Sequence, residues 1–146
     1  MEIRLCTIDD YPSIYALWMA TPGMGLNDID DSEAGITQFL NRNPNTCFVA
    51  LIDNEVVGVI LAGHDGRRAL IYHLAVSLDH RNKGIGTALV EKTMAALRDE
   101  GIKKVALVVF KKNEIGNAFW TSLGFDARDD LVYRNKALAE LQRIDT

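Results

Sequence analysis

HRNKGIGTAL, residues 80–89, is the stretch that decides the fold of this chain. It follows the apolar run Ile71–Val76, which is typical of a buried strand, and it leads into a helical pattern from Gly84 to Glu100. Gly84 and Gly86 stand at the start of that helix, where unpaired backbone N–H groups meet the positive end of the helix dipole. A glycine-rich turn between a buried strand and a helix therefore predicts an anion site that suits phosphate.

The segment after this turn extends the same unit. Val105–Phe110 is a second uninterrupted apolar run, so strand, helix and strand predict a right-handed parallel crossover. Gly101 is a natural residue for the end of the helix. The apolar residues of the helix share one half of its surface and are expected to pack on the sheet: Ile85, Leu89, Val90, Met94 and Leu97.

The first half of the chain predicts a strand, two helices and a loop. Glu2–Ile8 alternates in polarity like a short strand, and Asp9 or Asp10 then caps the first helix. The segment TPGMGLNDIDD, residues 21–31, combines Pro, Gly and Asp. This composition predicts a loop before a second helix, from Ser32 to Asn41.

Three strands are predicted between the second helix and the glycine turn: Cys47–Ile52, Val56–Ala62 and Ala69–Val76. Asp53-Asn54 joins the first two strands, and Asp65-Gly66 joins the last two, because Asx-Gly pairs suit type I′ turns. The three strands should form an antiparallel meander. Together the elements predict a single mixed α/β domain over residues 1–146.

The composition limits the classes of function. The chain has 146 residues, 48% of them apolar, which is enough for one core but not for two. A net charge of −4 gives no general reason to bind nucleic acid. No apolar run approaches the roughly 20 residues of a membrane span, and no signal region follows Met1, so we expect a cytoplasmic protein without membrane contact. Cys6 and Cys47 lie in apolar stretches and lack the spacing of metal ligands. They are therefore predicted to be core residues rather than parts of a metal site.

Two familiar phosphate motifs are absent from the glycine turn. The sequence has no GxxxxGK[ST], and Gly84-Ile85-Gly86 is followed at the third motif position by Leu89, where a dinucleotide-binding turn requires Gly or Ala. A nucleotide-binding domain is therefore disfavoured. The two glycines alone also fit a tight turn that lets helix and strand approach closely.

A wider pattern resembles one family. Arg81-x-x-Gly84-x-Gly86 resembles the motif Q/R-x-x-G-x-G/A of the GNAT superfamily of acetyl-CoA-dependent N-acetyltransferases. NEIGNAFWTSLGF, residues 113–125, resembles that family's later segment N-x-x-A-x-x-x-Y-x-x-x-G-F with its spacing intact. The resemblance implies a mixed α+β fold: a central, mostly antiparallel sheet with one splayed parallel strand pair, flanked by helices.

The resemblance implies acetyl-CoA as co-substrate. Backbone amides from Arg81 to Thr87 would hold the pyrophosphate, and the Val76 amide would donate to the thioester carbonyl oxygen. The splayed strand would leave backbone groups free to pair with the pantetheine arm. The implied cofactor-binding residues are Leu74, Ala75, Val76, Arg81, Asn82, Lys83, Gly84, Ile85, Gly86, Thr87, Asn113, Gly116, Asn117, Phe119 and Trp120. Asn113 also fits a structural role as the N-cap of a helix with Glu114 in its first turn.

The sequence departs from the family at two positions. Trp120 stands where the family commonly has a tyrosine acid, and an indole N–H donates a hydrogen bond but does not give up its proton. Trp120 also fits a purely structural role, because Gly124 suits the residue after a helix and Phe125 would then pack on Trp120. Some members have a glutamate base where this chain has Val108.

Candidates for orienting the amine lie on the strand before the glycine turn. Alternation places Tyr72 on the face of Leu74 and Val76, and His73 on the opposite face. Tyr72 is therefore expected to orient substrate or a water molecule, and Tyr72, Val76 and Trp120 are the predicted catalytic set. His64 and His80 read most simply as solvated surface residues.

The predicted reaction is direct transfer of an acetyl group from acetyl-CoA to a primary amine. The alternative is a non-catalytic acyl-CoA-binding sensor. The acceptor would be a small-molecule or peptide amine, bound largely by the first two helices, residues 21–31 and a late strand near Leu131–Tyr133. Asp28, Asp30 and Asp31 either attract a cationic amine or are simply solvated. The resemblance is also compatible with a homodimer, although the sequence identifies no interface.

Overall fold

The computed structural model describes residues 1–144. Its helices are α1 (Tyr11–Met19), α2 (Glu33–Arg42), α3 (Ile85–Asp99) and α4 (Glu114–Ser122), with short 3-10 turns at Ile8–Asp10 and Leu78–His80. Its strands are β1 (Glu2–Leu5), β2 (Leu26–Asn27), β3 (Phe48–Ile52), β4 (Glu55–His64), β5 (Ala69–Val76), β6 (Val105–Leu107) and β7 (Arg143–Ile144). Within this range no helix is long and apolar enough to cross a bilayer.

One five-stranded sheet, in the order β1-β3-β4-β5-β6, forms the centre of the fold. Its strands pair antiparallel except for β5 and β6, which are parallel and joined by α3. Strands β2 and β7 form a separate antiparallel pair. The prediction of a mixed, mostly antiparallel sheet with one parallel pair is confirmed.

Apolar side chains cover both faces of the sheet. On one face α1 and α2 bury a cluster that includes Ile14, Trp18, Ile36 and Leu40. On the other face α3 buries a second cluster that includes Ile85, Leu89, Val90 and Leu97, and α4 packs at its margin. The predicted inward side of α3 is confirmed, with Met94 only partly buried and Thr93 fully buried in its place.

Both predicted connections join the expected strands, but the type I′ geometry lies at Asp53-Asn54 and not at Asp65-Gly66. Asp53 and Asn54 take φ angles of 51° and 63°, as a type I′ turn requires. The second connection runs over four residues, because β4 ends at His64 and β5 begins at Ala69. There the Asp65 carboxylate accepts hydrogen bonds from the backbone N–H groups of Arg67 and Arg68, both at 2.8 Å, and these bonds lower the pKa of Asp65. An Asx turn thus replaces the expected type I′ turn.

Two predicted strands differ from the structure. β6 ends at Leu107 rather than at Phe110, and residues 131–133 form no strand. The two differences have one cause, since a strand needs a hydrogen-bonded neighbour and the chain beyond Leu107 has left the sheet. Leu131, Val132 and Tyr133 are 61%, 76% and 69% exposed.

Candidate active site

A cleft opens between β5 and β6. The two strands pair from Ala69 opposite Val105 to Ile71 opposite Leu107, and the pairing stops there. β5 continues to Val76 along β4, whereas the chain after Leu107 diverges. Residues 72–76 of β5 therefore keep one edge that faces the opening.

A β-bulge lies where this cleft begins. In the β4–β5 pairing Leu61 lies opposite His73 and Ala62 lies opposite Ile71, so Tyr72 is the extra residue. The side chains of β5 alternate between the two faces of the sheet, and the extra residue interrupts this alternation. Residues after the bulge therefore point to the face opposite to the one that their sequence spacing from Ile71 predicts. Before it, Ile71 packs in the α3 cluster; after it, Leu74 and Val76 pack there.

Tyr72 and His73 both project toward α1 and α2. The Tyr72 ring lies 5.5 Å from the ring of Phe39 on α2, and the His73 ring lies 5.0 Å from that of Trp18 on α1. The prediction that Tyr72 shares a face with Leu74 and Val76 is therefore wrong, and the bulge is the reason. Tyr72 is 56% exposed at the start of the cleft.

The Val76 backbone faces the opening. The Ser77 N–H donates to the Val57 carbonyl at 2.8 Å, so Ser77 points toward β4. Because successive residues of a strand alternate in direction, the N–H and C=O of Val76 point away from β4, toward the cleft. Arg81 Nε donates to the Val76 carbonyl at 3.4 Å. The Val76 N–H lies beside this carbonyl and points into the cleft. This is the orientation that the predicted role of Val76 requires.

The glycine turn presents backbone N–H groups at the same end of the sheet. Gly84 takes a φ of 78°, and the first bond of α3 joins the Ala88 N–H to the Gly84 carbonyl at 3.0 Å. The N–H groups of Ile85, Gly86 and Thr87 precede that bond, and Gly84 has no side chain with which to cap them. The exposed side chains of Arg81 and Lys83 add positive charge nearby. This donor set fits a pyrophosphate group.

Gly84 and Gly86 are glycines for different reasons. A Cβ on Gly84 would meet open space, so the positive φ alone favours glycine there. A Cβ on Gly86 would lie 3.3 Å from Cζ of Phe119 and 3.8 Å from Cγ2 of Val76. Gly86 therefore lets α3, α4 and the end of β5 meet closely, which confirms the close-approach interpretation alongside any phosphate role.

The predicted asparagines of α4 hold the helix to the segment after β6. Asn113 caps α4, since its Oδ1 accepts from the Gly116 N–H at 2.9 Å. A Cβ on Gly116 would clash with the Asn113 side chain in its capping position, so the cap favours glycine there. Asn117 Nδ2 donates to the Phe110 carbonyl at 3.1 Å. Both asparagines thus have structural roles beside the cleft.

Trp120 has the helix-end contact that the sequence predicts. Phe125 N–H donates to the Trp120 carbonyl and Gly124 N–H to that of Thr121, both at 3.0 Å, and Gly124 takes a φ of 87°. The Trp120 ring lies 5.1 Å from that of Phe125 and 5.0 Å from that of Phe119. The packing role is therefore present, and hydrogen bonding by the indole N–H stays a prediction.

Residues 21–31, which we call the aspartate loop, lie across the cleft on the side of α1 and α2. A Cβ on Gly25 would lie 3.4 Å from the ring of Phe110, beyond β6. At its other end the loop reaches β5, where Asp31 Oδ1 lies 2.7 Å from His73 Nε2. β7 braces the loop through its pairing with β2, and the backbone of Gln142 bonds both the N–H and the carboxylate of Asp28.

Local sequence signals did not identify the partners of the histidines and aspartates. Asp31 is 4% exposed rather than solvated, and it is separated from His73 by 42 residues. His64 is likewise not a free surface residue, because its Nε2 lies 2.9 Å from Glu100 Oε2. The two histidine pairs depend on tertiary contacts that no motif marks. Asp30 has a local partner instead, because it accepts from Asn27 Nδ2 at 2.9 Å.

Comparisons with known proteins agree on one family. A model of the "Acetyltransferase (GNAT) family" matches residues 11–125. The chain is 33% identical to "Acetyltransferase SG1711" of Sodalis glossinidius over 142 residues, which cover 97% of this chain and 99% of that protein.

Solved structures share the fold. The PaiA N-acetyltransferase of Thermoplasma acidophilum in complex with coenzyme A superposes with a TM-score of 0.76 at 20% identity, over 88% of this chain and 91% of that one. The aminoglycoside acetyltransferase meta-AAC0020 from an uncultured soil metagenomic sample, in complex with sisomicin, gives 0.70 at 22% identity, over 94% and 96% of the two chains.

Proposed function

We propose a specific reaction for this chain, which belongs to the acetyltransferase (GNAT) family and is an N-acetyltransferase. It transfers an acetyl group from acetyl-CoA to a primary amine, and the amine attacks the thioester directly in a ternary complex. One observation carries the proposal. The cleft between β5 and β6 has the Val76 N–H on its wall and the N–H groups of the glycine turn at its end.

The chain's own groups divide the binding of the co-substrate between them. Acetyl-CoA supplies the acetyl group as an activated thioester. The N–H groups of Ile85, Gly86 and Thr87 bind the pyrophosphate, and Arg81 and Lys83 supply positive charge. The open edge of Leu74 to Val76 pairs with the pantetheine arm, as a further strand would.

Two donors act on the reacting atoms. The Val76 N–H donates to the thioester carbonyl oxygen as negative charge develops there, a contribution of about 3 to 4 kcal/mol where such donors have been removed. The Trp120 indole N–H donates to the departing sulfur. A thiolate is an acceptable leaving group without a proton, because the ordinary pKa of a free thiol is near 8.5.

The amine enters the cleft from the side opposite acetyl-CoA, on the face of α1 and α2 and beneath the aspartate loop. Tyr72 lies exposed at the start of the cleft on that face and orients the amine or a water molecule beside it. A primary amine acceptor is supported by the family's N-acetyltransferase members. An amine is itself a nucleophile, so direct attack needs no covalent intermediate on the protein, and both cysteines of residues 1–144 are buried in the α1 cluster.

The first experiment measures co-substrate binding by thermal denaturation. Acetyl-CoA is expected to raise the melting temperature of the wild type, because a ligand of the folded state stabilises it by mass action. Gly86→Glu should abolish the shift, since it puts a negative charge next to the N–H groups that bind the pyrophosphate. Gly86→Gln is the matched control: it adds a side chain of the same size against Phe119 but no charge, and it should retain a shift. No shift at millimolar acetyl-CoA, or a larger one with NAD, contradicts the assignment.

The second experiment tests the reaction. Acetyl-CoA is incubated with a panel of primary amines, and free CoA thiol is measured at the end point. Amine-dependent release of thiol by the wild type, and its loss in Gly86→Glu, is the expected result. Binding of acetyl-CoA without amine-dependent release would contradict the transfer reaction.

A further inference from the structure

The carboxylate of Asp31 organises the aspartate loop from inside. Its Oδ1 accepts from His73 Nε2 at 2.7 Å, and its Oδ2 accepts from the Asn27 N–H at 2.8 Å. The Asn27 side chain continues the network, because its Oδ1 accepts from the N–H groups of Ile29 at 3.0 Å and Asp30 at 2.7 Å. The conformation of residues 27–31 therefore depends on one buried carboxylate.

The backbone of Asp31 makes a further contact. Tyr11 Oη donates to the Asp31 carbonyl at 2.7 Å, which connects the loop to the start of α1. Asp31 thus joins three parts of the fold: α1 through Tyr11, the loop through Asn27, and the sheet through His73. Of the three, only the contact with His73 attaches the loop to the strand that lines the cleft.

His73 is held in one orientation. Its side chain is 12% exposed and that of Asp31 is 6% exposed, so both partners are shielded from water. An ionised carboxylate only accepts hydrogen bonds, which assigns the Nε2 proton to His73. Nδ1 is buried without a hydrogen-bond partner among residues 1–144, and the ring packs edge-on against Trp18. The burial of Nδ1 keeps it from contact with an amine substrate.

The bulge is what brings His73 to this position. With uninterrupted alternation from Ile71, the His73 side chain would share the face of Ile71 and point to α3. The extra residue at Tyr72 places His73 opposite Leu61 on the α1 face instead. The loop is attached to β5 directly beside the point where β5 and β6 separate, and it touches Phe110 on the far side.

We propose that Asp31 and His73 are positioning residues that fix the aspartate loop across the cleft and so set the affinity for the acceptor amine. The kinetic part of this inference rests on the proposed function. The pair acts through the loop and not on the reacting atoms. Acetyl-CoA binds to the glycine turn and the far part of β5, so its binding does not depend on the pair.

The test compares Asp31→Ala, Asp31→Asn and His73→Gln with the wild type. Hydrogen exchange of the amides of Asn27, Ile29 and Asp30 is measured together with acetyl-CoA affinity and steady-state kinetics for the amine found in the screen. Asp31→Ala should speed exchange at these amides and raise the KM for the amine by about 10-fold or more, with kcat and acetyl-CoA affinity nearly unchanged.

The conservative variants grade the effect. The Gln side chain of His73→Gln carries an amide N–H that donates to Asp31. This variant should therefore retain most of the wild-type exchange protection and most of the wild-type amine affinity. Asp31→Asn keeps the shape of the side chain but accepts at one oxygen only, and it should give an intermediate result. It also serves if Asp31→Ala fails to fold.

Glu100→Ala is the matched control for Asp31→Ala. It removes the other histidine–carboxylate contact of the described chain, His64 with Glu100, at the far end of the β4–β5 hairpin. This variant should change neither the exchange of the loop amides nor the KM for the amine. An effect there equal to that of Asp31→Ala would show that general destabilisation, and not the loop, is responsible.

Two results overturn the proposal. One is wild-type exchange of the Asn27, Ile29 and Asp30 amides in Asp31→Ala; the other is a fall in kcat with an unchanged KM, which would place His73 in the chemical step. If the wild type acetylates no amine, the proposed function fails separately. The exchange measurement then confirms or overturns the positioning role by itself.

Discussion

The side chains of Tyr72 and His73 leave the sheet on the same face, although the two residues are adjacent in sequence. Tyr72 packs on Phe39 and His73 on Trp18. The bulge between them divides β5 into a part that pairs with β6 and a part that borders the cleft. One extra residue therefore determines both the contents of the α1 face and the direction of the Val76 amide.

Tyr72→Phe tests the exposed member of this pair. The ring should stay packed on Phe39, so the melting temperature should change little, while loss of the hydroxyl removes one hydrogen bond to the amine or its water. We expect the KM for the amine to rise by about 2- to 10-fold with acetyl-CoA affinity unchanged. Unaltered kinetics would remove Tyr72 from the site.

Trp120→Phe tests the indole N–H. Phenylalanine keeps an aromatic ring against Phe119 and Phe125 but removes the donor. A hydrogen bond to a charged group contributes about 1.5 to 3 kcal/mol, so kcat should fall by roughly 10- to 150-fold. The measurement is kcat at saturating acetyl-CoA and amine, under conditions where chemistry limits the rate.

Trp120→Tyr is the companion variant, and it should recover activity because it restores a donor and adds an acid. A fall in kcat of less than about threefold in folded Trp120→Phe would contradict the catalytic role. Trp120 would then serve only to pack the end of α4.

The ion pair of Arg4 with the buried Asp10 should make stability depend on pH. Arg4 Nη1 and Nη2 each lie 2.8 Å from an Asp10 oxygen, and hydrogen bonding from Arg4 lowers the pKa of Asp10 below its ordinary value. A lowered folded-state pKa stabilises the fold above the unfolded-state value of about 3.9, and the contribution is lost as pH falls through the folded-state pKa.

Asp10→Asn should therefore lower the free energy of unfolding at neutral pH by about 1 to 2 kcal/mol, a modest value because Arg4 is partly exposed. Denaturant titrations should show the difference from wild type shrinking toward about pH 3. Asp130→Asn is the matched control: Arg128 and Asp130 have the same paired geometry but lie at the surface, so no measurable change is expected. A difference for Asp10→Asn that is constant with pH would contradict the ionic origin.

The two cysteines should be inert in the folded protein. Burial raises the pKa of the Cys6 and Cys47 thiols to about 12 in each case, so little thiolate exists near neutral pH. Titration with a thiol reagent near pH 8 should detect no fast-reacting group until denaturant is added, and then both cysteines. Fast modification of the native protein would show that one thiol is accessible.

Elements defined by neighbouring residues were predictable from the sequence. The turn at Asp53-Asn54, the Asn113 cap and the helix end at Gly124 follow from side chains and φ angles within a few positions. The glycine turn was found for the same reason, since its N–H groups, its positive φ at Gly84 and its helix are contiguous.

Features that depend on distant partners were not predictable. No glycine or turn residue marks the bulge at Tyr72, because it arises from the register with Leu61 and Ala62 on β4. The contact of Asp31 with His73 follows from that bulge and from a loop 42 residues away. The strand expected near Leu131 fails similarly: its own β-propensity is adequate, but β6 ends before it offers an edge.

The short pairing of β7 with β2 bears on how the protein should be prepared for assay. Arg143 and Ile144 pair with Asn27 and Leu26. A purification tag fused C-terminal to them is therefore attached to the strand that supports the amine side of the cleft. Material tagged there would display weakened amine binding while still taking up acetyl-CoA normally. Fusion at Met1, which is 65% exposed and precedes an edge strand of the sheet, avoids that artefact.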